Sequence, residues 1–471
     1  MNDTLTPDVV GRRVSVNGEC ATVRFHGTVP PVAGLWLGVE WDNPERGKHD
    51  GSHEGTVYFK CSHPTGGSFI RPHKANFGVD FLTALRDRYE DEPEDDAKKQ
   101  IVTIGNIPVE TIGFGSVIKK QSQLSELRDI SLRSCAVSCA GDKGDIASTC
   151  PNIRVVNLSQ NLLSAWEEVT GIAEQLRHLE VLDLSENKLQ FPPGSPAPVG
   201  TFSALKVLVL NRTGITWAEV LHCAQGWPAL EELYLKSNNI SISERPADVL
   251  QLVRLLDLSS NQSIDENQLF LIAYLPRLER LILGDVGISS LHFPDAGVGC
   301  KTAMFPSLQS LVLDDNRISQ WSFINELDKL QSLHSLSCLR NPLTVGSEAK
   351  THLQFIIAKI GQLRTLNRCE VGATAGVFEA RKQVTENAKD TVFEYCGGRQ
   401  TWLSFRDPPG GAARGRAGLP EGVREGVERG GWAPGSRPGQ AQRGVPGRPP
   451  QIPSPLPHGL WITIHRFLFL K

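Results

Sequence analysis

The stretch "LEVLDLSENKL", Leu179 to Leu189, sets leucine at its first, fourth, sixth and eleventh positions and asparagine at its ninth. Neither a helix nor an isolated strand spaces its apolar residues that way. The pattern recurs at a step of about 25 residues as "LEELYLKSNNI" (Leu230 to Ile240), "LQSLVLDDNRI" (Leu308 to Ile318) and "LHSLSCLRNPL" (Leu333 to Leu343), with further copies beginning at Ile153, Leu205, Val253 and Leu278. A ninth, "LRDISLRSCAV" from Leu127, puts Cys135 at the asparagine position. The Leu-x-Leu core reads as a short strand with alternate side chains turned inward, and the asparagine can bond backbone groups as the chain leaves it. Stacked copies predict one curved parallel sheet. Thr213 and Val286 stand where asparagine is expected, so the ladder should be weaker there, and Cys135 and Cys338 read as buried repeat residues. "IIAKIGQLRTLN", Ile356 to Asn367, starts with helical spacing and suits the cap that a stacked array needs at its end.

From Leu127 to about Arg368 the chain resembles the leucine-rich repeat family, an α/β solenoid. The resemblance implies that a protein is bound in the hollow of the sheet by residues between and beside the leucines. In this sequence these are Arg133, Asn157, Asp183, Asn211, Tyr234, Lys236, Asp257, Arg280 and Asp314.

The rest of the composition narrows the function. At 471 residues and 40% hydrophobic content the chain is long enough for about three domains with real cores. A formal net charge of -3 gives no global basic field, which argues against a nucleic acid or an anionic membrane as partner. Residues 1–20 have no apolar signal segment, and nothing approaches the roughly 20 apolar residues of a membrane span. Ten cysteines without a C-x-x-C pair or zinc-site spacing fit free thiols in a reducing cytoplasm. "GFGSVIKK" at Gly113 lacks the remaining segments of a kinase, and no catalytic or metal-binding constellation assembles from motifs. The expectation is a binding protein, not an enzyme, with no metal and no cofactor.

The first 82 residues are of another kind: short alternating runs, "RRVSVNG", "ATVRFHG", "LWLGVEWD" and "GTVYFK", separated by Gly, Pro, Asn and Asp, which predict a small all-β module. Inside it "GKHDG", Gly47 to Gly51, doubles back between two glycines and turns Lys48, His49 and Asp50 outward beside a strand. Arg46, Lys48, Lys60, Arg71 and Lys74 outnumber the nearby acids, and Trp36 and Phe69 sit in glycine-rich surroundings. An aromatic groove beside a cationic loop suits an aromatic side chain together with a carboxylate.

Residues 10–78 resemble a CAP-Gly domain, through the strand "GLWLGVEWD", the loop "GKHDG" and the closing "GGSFIRPHKANF". That family binds acidic C-terminal tails ending in Glu-Glu-Tyr, above all that of α-tubulin. The resemblance implies that Lys48 meets a carboxylate, that His49, Asp50, Arg71 and the Gly47 and Gly51 amides add contacts, and that Trp36 and Phe69 line the groove. His49 departs from the family, which usually has asparagine there.

A CAP-Gly domain followed by leucine-rich repeats is the order of the tubulin-folding cofactor E family, which this sequence resembles from residue 1 to about Arg368. The resemblance implies a cytoplasmic, cytoskeleton-associated protein. It would bind α-tubulin and the α/β-tubulin heterodimer and act with other tubulin-folding cofactors in assembling and dissociating that heterodimer. The alternative is a microtubule-associated adaptor that carries a protein cargo on its repeats. The expected domains are a CAP-Gly domain at 1–82, an acidic linker at 83–100 whose Tyr89 could visit the CAP-Gly groove, repeats with their cap at 101–368, and a tail at 369–471. Gly and Pro crowd residues 397–460, which predicts a largely disordered tail where the family has a ubiquitin-like domain.

Overall fold

The structure, a computed structural model, describes residues 7–90, 102–104, 107–109, 123–191, 200–297, 299–347 and 349–371. The disorder expected of the tail lies outside the described residues. Strands Arg13–Val16, Glu19–Val29, Val32–Trp41 and Gly67–Ile70 form an antiparallel sheet in that order. Alternation turns Val14, Val16, Val23, Leu37, Val39 and Trp41 into one small core, on which Ile70, Ala75 and Phe77 pack. The opposite face is left for the groove.

The nine repeats give nine parallel strands: Asp129–Ser131, Val155–Asn157, Val181–Asp183, Val207–Val209, Glu232–Tyr234, Leu255–Asp257, Arg280–Ile282, Ser310–Val312 and Ser335–Ser337. Each strand is three residues long and in register with the next, so its central residue (Ile130, Val156, Leu182, Leu208, Leu233, Leu256, Leu281, Leu311, Leu336) enters a continuous buried core. Full burial of one such leucine contributes about 1.5–3 kcal/mol. The expected cap is the helix Ala349–Lys359, followed by Thr365–Leu366, which adds a tenth parallel strand, and Cys369–Glu370, which closes the edge antiparallel.

The asparagines build a ladder along the turns. Asn261 is typical: its Nδ2 donates to Leu235 O (3.0 Å) in the preceding repeat and to Leu258 O (2.8 Å) in its own. Its Oδ1 accepts from the backbone N–H groups of Asn238 and Ile240, both at 2.9 Å. Asn161, Asn187, Asn238, Asn316 and Asn341 donate in the same way to two consecutive repeats. Thr213 Oγ1 lies 2.9 Å from Leu210 O in its own repeat and 3.3 Å from Asn238 Oδ1 in the next but makes no bond to the preceding repeat, and Val286 has no side-chain donor, so the ladder thins where the sequence departs. Cys338 is buried, which pushes its thiol up to about 12, whereas Cys135 is only partly covered.

The linker expected at 83–100 begins differently. Phe81–Tyr89 is a helix capped by Asp80, whose carboxylate accepts from Thr83 N (2.9 Å) and Thr83 Oγ1 (2.6 Å). Phe81, Leu82, Ala84 and Leu85 are buried in the repeat core. Tyr89 does not reach toward the groove: its hydroxyl accepts from Ser131 N at 2.9 Å, at the first repeat strand. The acidic residues gave a solvated appearance to a segment whose other face covers the open end of the array. Residues 91–100 lie outside the described residues. Val102–Ile104 and Ile107–Val109 pair as an antiparallel hairpin, not as a repeat. Among the described residues no helix is long and apolar enough to cross a membrane.

Candidate functional site: an aromatic groove and a repeat face

The loop Gly47–Gly51 is sewn to the strand that follows it. Lys48 N donates to Gly67 O and Gly67 N to His49 O, both at 2.7 Å. A Cβ on Gly47 would lie 1.9 Å from Thr65 O, and one on Gly51, whose φ is +104°, would lie 2.1 Å from Phe59 O. Both positions therefore demand glycine. The approach leaves the Lys48 side chain exposed at the surface. Asp50 folds back onto Ser52, accepting from its N–H (3.0 Å) and its hydroxyl (2.5 Å), and these bonds hold the exposed carboxyl below its usual range.

His49 serves the loop itself. Its Nδ1 accepts from Gly51 N at 3.0 Å, which leaves the proton of the neutral ring on Nε2. The imidazole lies over Phe69 at 5.0 Å and 30°, and edge-on to Phe59 at 6.0 Å. Burial depresses its pKa, and the neighbouring charges of His53 and Lys48 depress it further against the pull of Asp50.

Phe69 is the hub of the site. Around it stand Tyr58 (5.4 Å), Phe59 (5.5 Å), Phe25 (6.2 Å) and His53 (6.2 Å), the first three nearly edge-on. Gly38, paired with Phe69 across the sheet, is the floor on which Phe59 lies: a Cβ there would come within 2.4 Å of the Phe59 ring. Val57, the residue before Tyr58, is 64% exposed. Sequence reasoning named Phe69 but missed Phe25, Tyr58, Phe59 and His53, although "RFHG" and "VYFK" carried the signal.

Trp36 lies two residues from Gly38 along the same strand, opposite Gly27, with the Arg71 guanidinium stacked 3.7 Å from its ring centre. Arg71 also donates to Leu35 O (3.1 Å) and Ala33 O (3.0 Å), so it secures the hairpin that carries Trp36. Arg46 is likewise committed, to Val16 O (3.1 Å), Glu19 (2.9 Å) and the face of Trp41 (4.1 Å). The exposed positive charge near the loop therefore comes from Lys48, Lys60 and Lys74.

The residues expected on the repeat face fall into three rows. Asn157, Asp183, Tyr234 and Asp257 share the third strand position, Arg280 holds a first position, and Arg133, Asn211, Lys236 and Asp314 follow just past strand ends. Several are engaged within the array and are not simply solvated. Asn157, Asp183 and Asp257 each accept, through Oδ1, from the N–H (2.8, 2.9 and 2.9 Å) and hydroxyl (2.6 Å in all three) of the serine two residues on. Asp314 accepts from Ser337 Oγ (2.7 Å) and Leu339 N (2.9 Å), and Asn211 accepts from Lys236 N (2.8 Å). Tyr234 donates to Glu232 Oε2 at 2.8 Å. Burial raises the carboxyls of Asp183 and Asp257 despite their serine donors, and it raises the Tyr234 phenol, with Glu232 adding to the effect. The same rows carry Val155, Val181, Val207, Val209, Leu255, Ile282 and Val312, so the face alternates apolar stripes with fixed polar groups. Among the described residues no group of His, Cys, Asp and Glu could hold a metal ion.

A glycine-clamped loop beside an aromatic hub, followed by a solenoid with a mixed polar and apolar sheet face, defines a two-module protein, a small glycine-rich β module leading into leucine-rich repeats. Residues 10–75 match the CAP-Gly domain family. Over 374 residues the chain is 77% identical to tubulin-specific chaperone E of Bos taurus, covering 79% of this chain and 71% of that one. Tubulin-specific chaperone E of Homo sapiens is 74% identical over the same shares. The chain belongs to the tubulin-specific chaperone E family.

Proposed function

We propose that the protein is a tubulin-folding cofactor. It grips α-tubulin by its acidic C-terminal tail through the Gly47–Gly51 loop and the Phe69 hub, and by its body through the repeat face. With other tubulin-folding cofactors it acts in assembling and dissociating the α/β-tubulin heterodimer, in the cytoplasm and in association with the cytoskeleton. It works by binding and not by covalent chemistry. The names of its relatives support the tubulin-folding role. The observation that carries the tail assignment is the exposed Lys48 cation at the edge of a ring cluster centred on Phe69. Tail carboxylates meet Lys48, a terminal aromatic ring packs against Tyr58, Phe59 and Phe69, and the Nε2–H of neutral His49 donates to the peptide.

The test is titration of an α-tubulin tail peptide, with and without its terminal tyrosine, into the wild type, Lys48→Ala and Phe69→Ala. Losing the charge-assisted contact at Lys48 should weaken binding by about 1–3 kcal/mol. Phe69→Ala should remove the distinction between the two peptides. Equal wild-type affinity for both peptides would refute the groove assignment.

A further inference from the structure

The two binding surfaces meet at a joint without slack. Phe77 packs on the core of the glycine-rich module and Phe81 lies in the repeat core, so only Gly78, Val79 and Asp80 separate them. Those residues are paired in turn with the first repeat, in parallel register: Val79 opposite Val137 and Asp80 opposite Cys139. Val79 N donates to Ala136 O at 2.9 Å, and Ser138 Oγ donates to Val79 O at 3.3 Å. The backbone at Gly78 is flush against the array, since a Cβ there would come within 2.3 Å of Ala136 O.

A second connection lies far away in sequence. Lys188 Nζ reaches Asp42 Oδ1 at 3.0 Å, and the same carboxylate is gripped by both terminal nitrogens of Arg13, whose side chain is almost fully buried. Lys188 follows the ladder residue Asn187, whose bonds to Leu158 O and Leu184 O fix its backbone. Asp42 follows the strand Val32–Trp41, which carries both Trp36 and Gly38, the floor of the groove. The charge contact thus ties a fixed point of the array to the strand under the groove.

We propose that Asp42, Lys188 and Gly78–Asp80 are positioning residues, which hold the groove at one orientation to the repeat face so that a single partner molecule is gripped at its acidic tail and its body together. This rests on the groove reading above. Two sites on a loose tether reinforce each other through effective concentration alone. Two sites on a fixed joint avoid the ordering cost as well, and reject partners whose tail and body are not spaced to match.

The test loosens the joint in the full chain by placing a flexible Gly/Ser spacer between Phe77 and Gly78, combined with Lys188→Glu. The spacer leaves Phe77 in its own module and the paired strand and helix in theirs. Three readings are compared with the wild type: affinity for an acidic tail peptide ending in tyrosine, affinity for the intact α/β-tubulin heterodimer, and tumbling of a fluorophore held in the glycine-rich module. The expected result is peptide affinity within about twofold of wild type, tubulin affinity at least about tenfold weaker, and faster module tumbling. Lys188→Arg alone, without the spacer, should match wild type in all three. Absence of peptide binding by the wild type would sink the groove reading. Intact peptide binding with equal tubulin affinity in both chains, or a wild-type module that already tumbles freely, would overturn the positioning role alone.

Discussion

Asn261→Thr removes the bond that Asn261 donates to the preceding repeat and both bonds that its Oδ1 accepts, and Thr213 shows what threonine retains at such a position. A hydroxyl there reaches the carbonyl of its own repeat, as Thr213 Oγ1 reaches Leu210 O at 2.9 Å. It cannot also donate to Leu235 O in the preceding repeat or accept from the N–H groups of Asn238 and Ile240. Leu235 O keeps its bond from Asn238 Nδ2, so the cost falls on the two amides. Asn261 is fully buried, and water cannot replace the lost acceptor without opening the turn. Each buried donor left unmade costs about 1–3 kcal/mol, so the variant should lose about 2–6 kcal/mol. Urea unfolding followed by tryptophan fluorescence is a suitable assay, because Trp217 and Trp227 are buried two repeats away and report whether the damage spreads. Stability is shared between neighbouring repeats, so fluorescence and circular dichroism should shift together. A loss below about 0.5 kcal/mol, the lower end of what one ordinary hydrogen bond contributes, would refute the ladder as a source of stability.

Thr213→Asn should do the reverse, restoring the bond between repeats by giving Leu184 O a second side-chain donor beside Asn187 Nδ2 and raising stability by about 0.5–1.5 kcal/mol in the same urea assay. Gly47→Ala should abolish tail-peptide binding, because a methyl 1.9 Å from Thr65 O forces the loop off its strand, while leaving the repeat unfolding transition in place. The third concerns pH. His49 has a depressed pKa in the folded protein, so the stability its neutral ring contributes is fully present above the unfolded value of about 6.5 and is lost as pH falls through the lower folded value. An NMR titration should place the His49 midpoint below about 6.5, with the Gly51 amide shifting in step as it loses Nδ1.

The repeats were legible because each leucine sits at a place set by one spacing, and nine copies leave no freedom of register. The asparagine ladder and its gaps at Thr213 and Val286 followed from the same alignment. The glycine-rich module was legible through its loop, since Gly47 and Gly51 are required by backbone contacts that no other residue survives. What could not be read was which side chains face one another across distant segments: Phe25, Tyr58 and Phe59 converge on Phe69 only once the sheet forms. The helix Phe81–Tyr89 was hidden because its charges dominate its composition, although Asp80 with Thr83 three residues on, and Phe81, Leu82 and Leu85 on one side, mark a capped amphipathic turn. The internal role of Asn157, Asp183 and Asp257 had a sequence mark as well. Each opens an Asn/Asp-Leu-Ser triplet, and the serine is the donor.

The capping helix has a consequence for how the chain is made. The ribosome delivers the glycine-rich module first, and every residue of its core lies at or before Phe77, so it can close as it emerges. Phe81, Leu82 and Leu85 come out immediately afterward, but the surfaces that cover them, around Ile130, Val137 and Ile146, are still unmade. For the time taken to synthesise some fifty further residues, the nascent protein carries an apolar helix with nothing to sit on, an opening for mispairing or for a holding chaperone. The same order of events sets where a fragment should be cut. A polypeptide stopping at Phe77 is complete in itself, whereas one stopping at Glu90 ends in a sticky, unhoused helix and should aggregate.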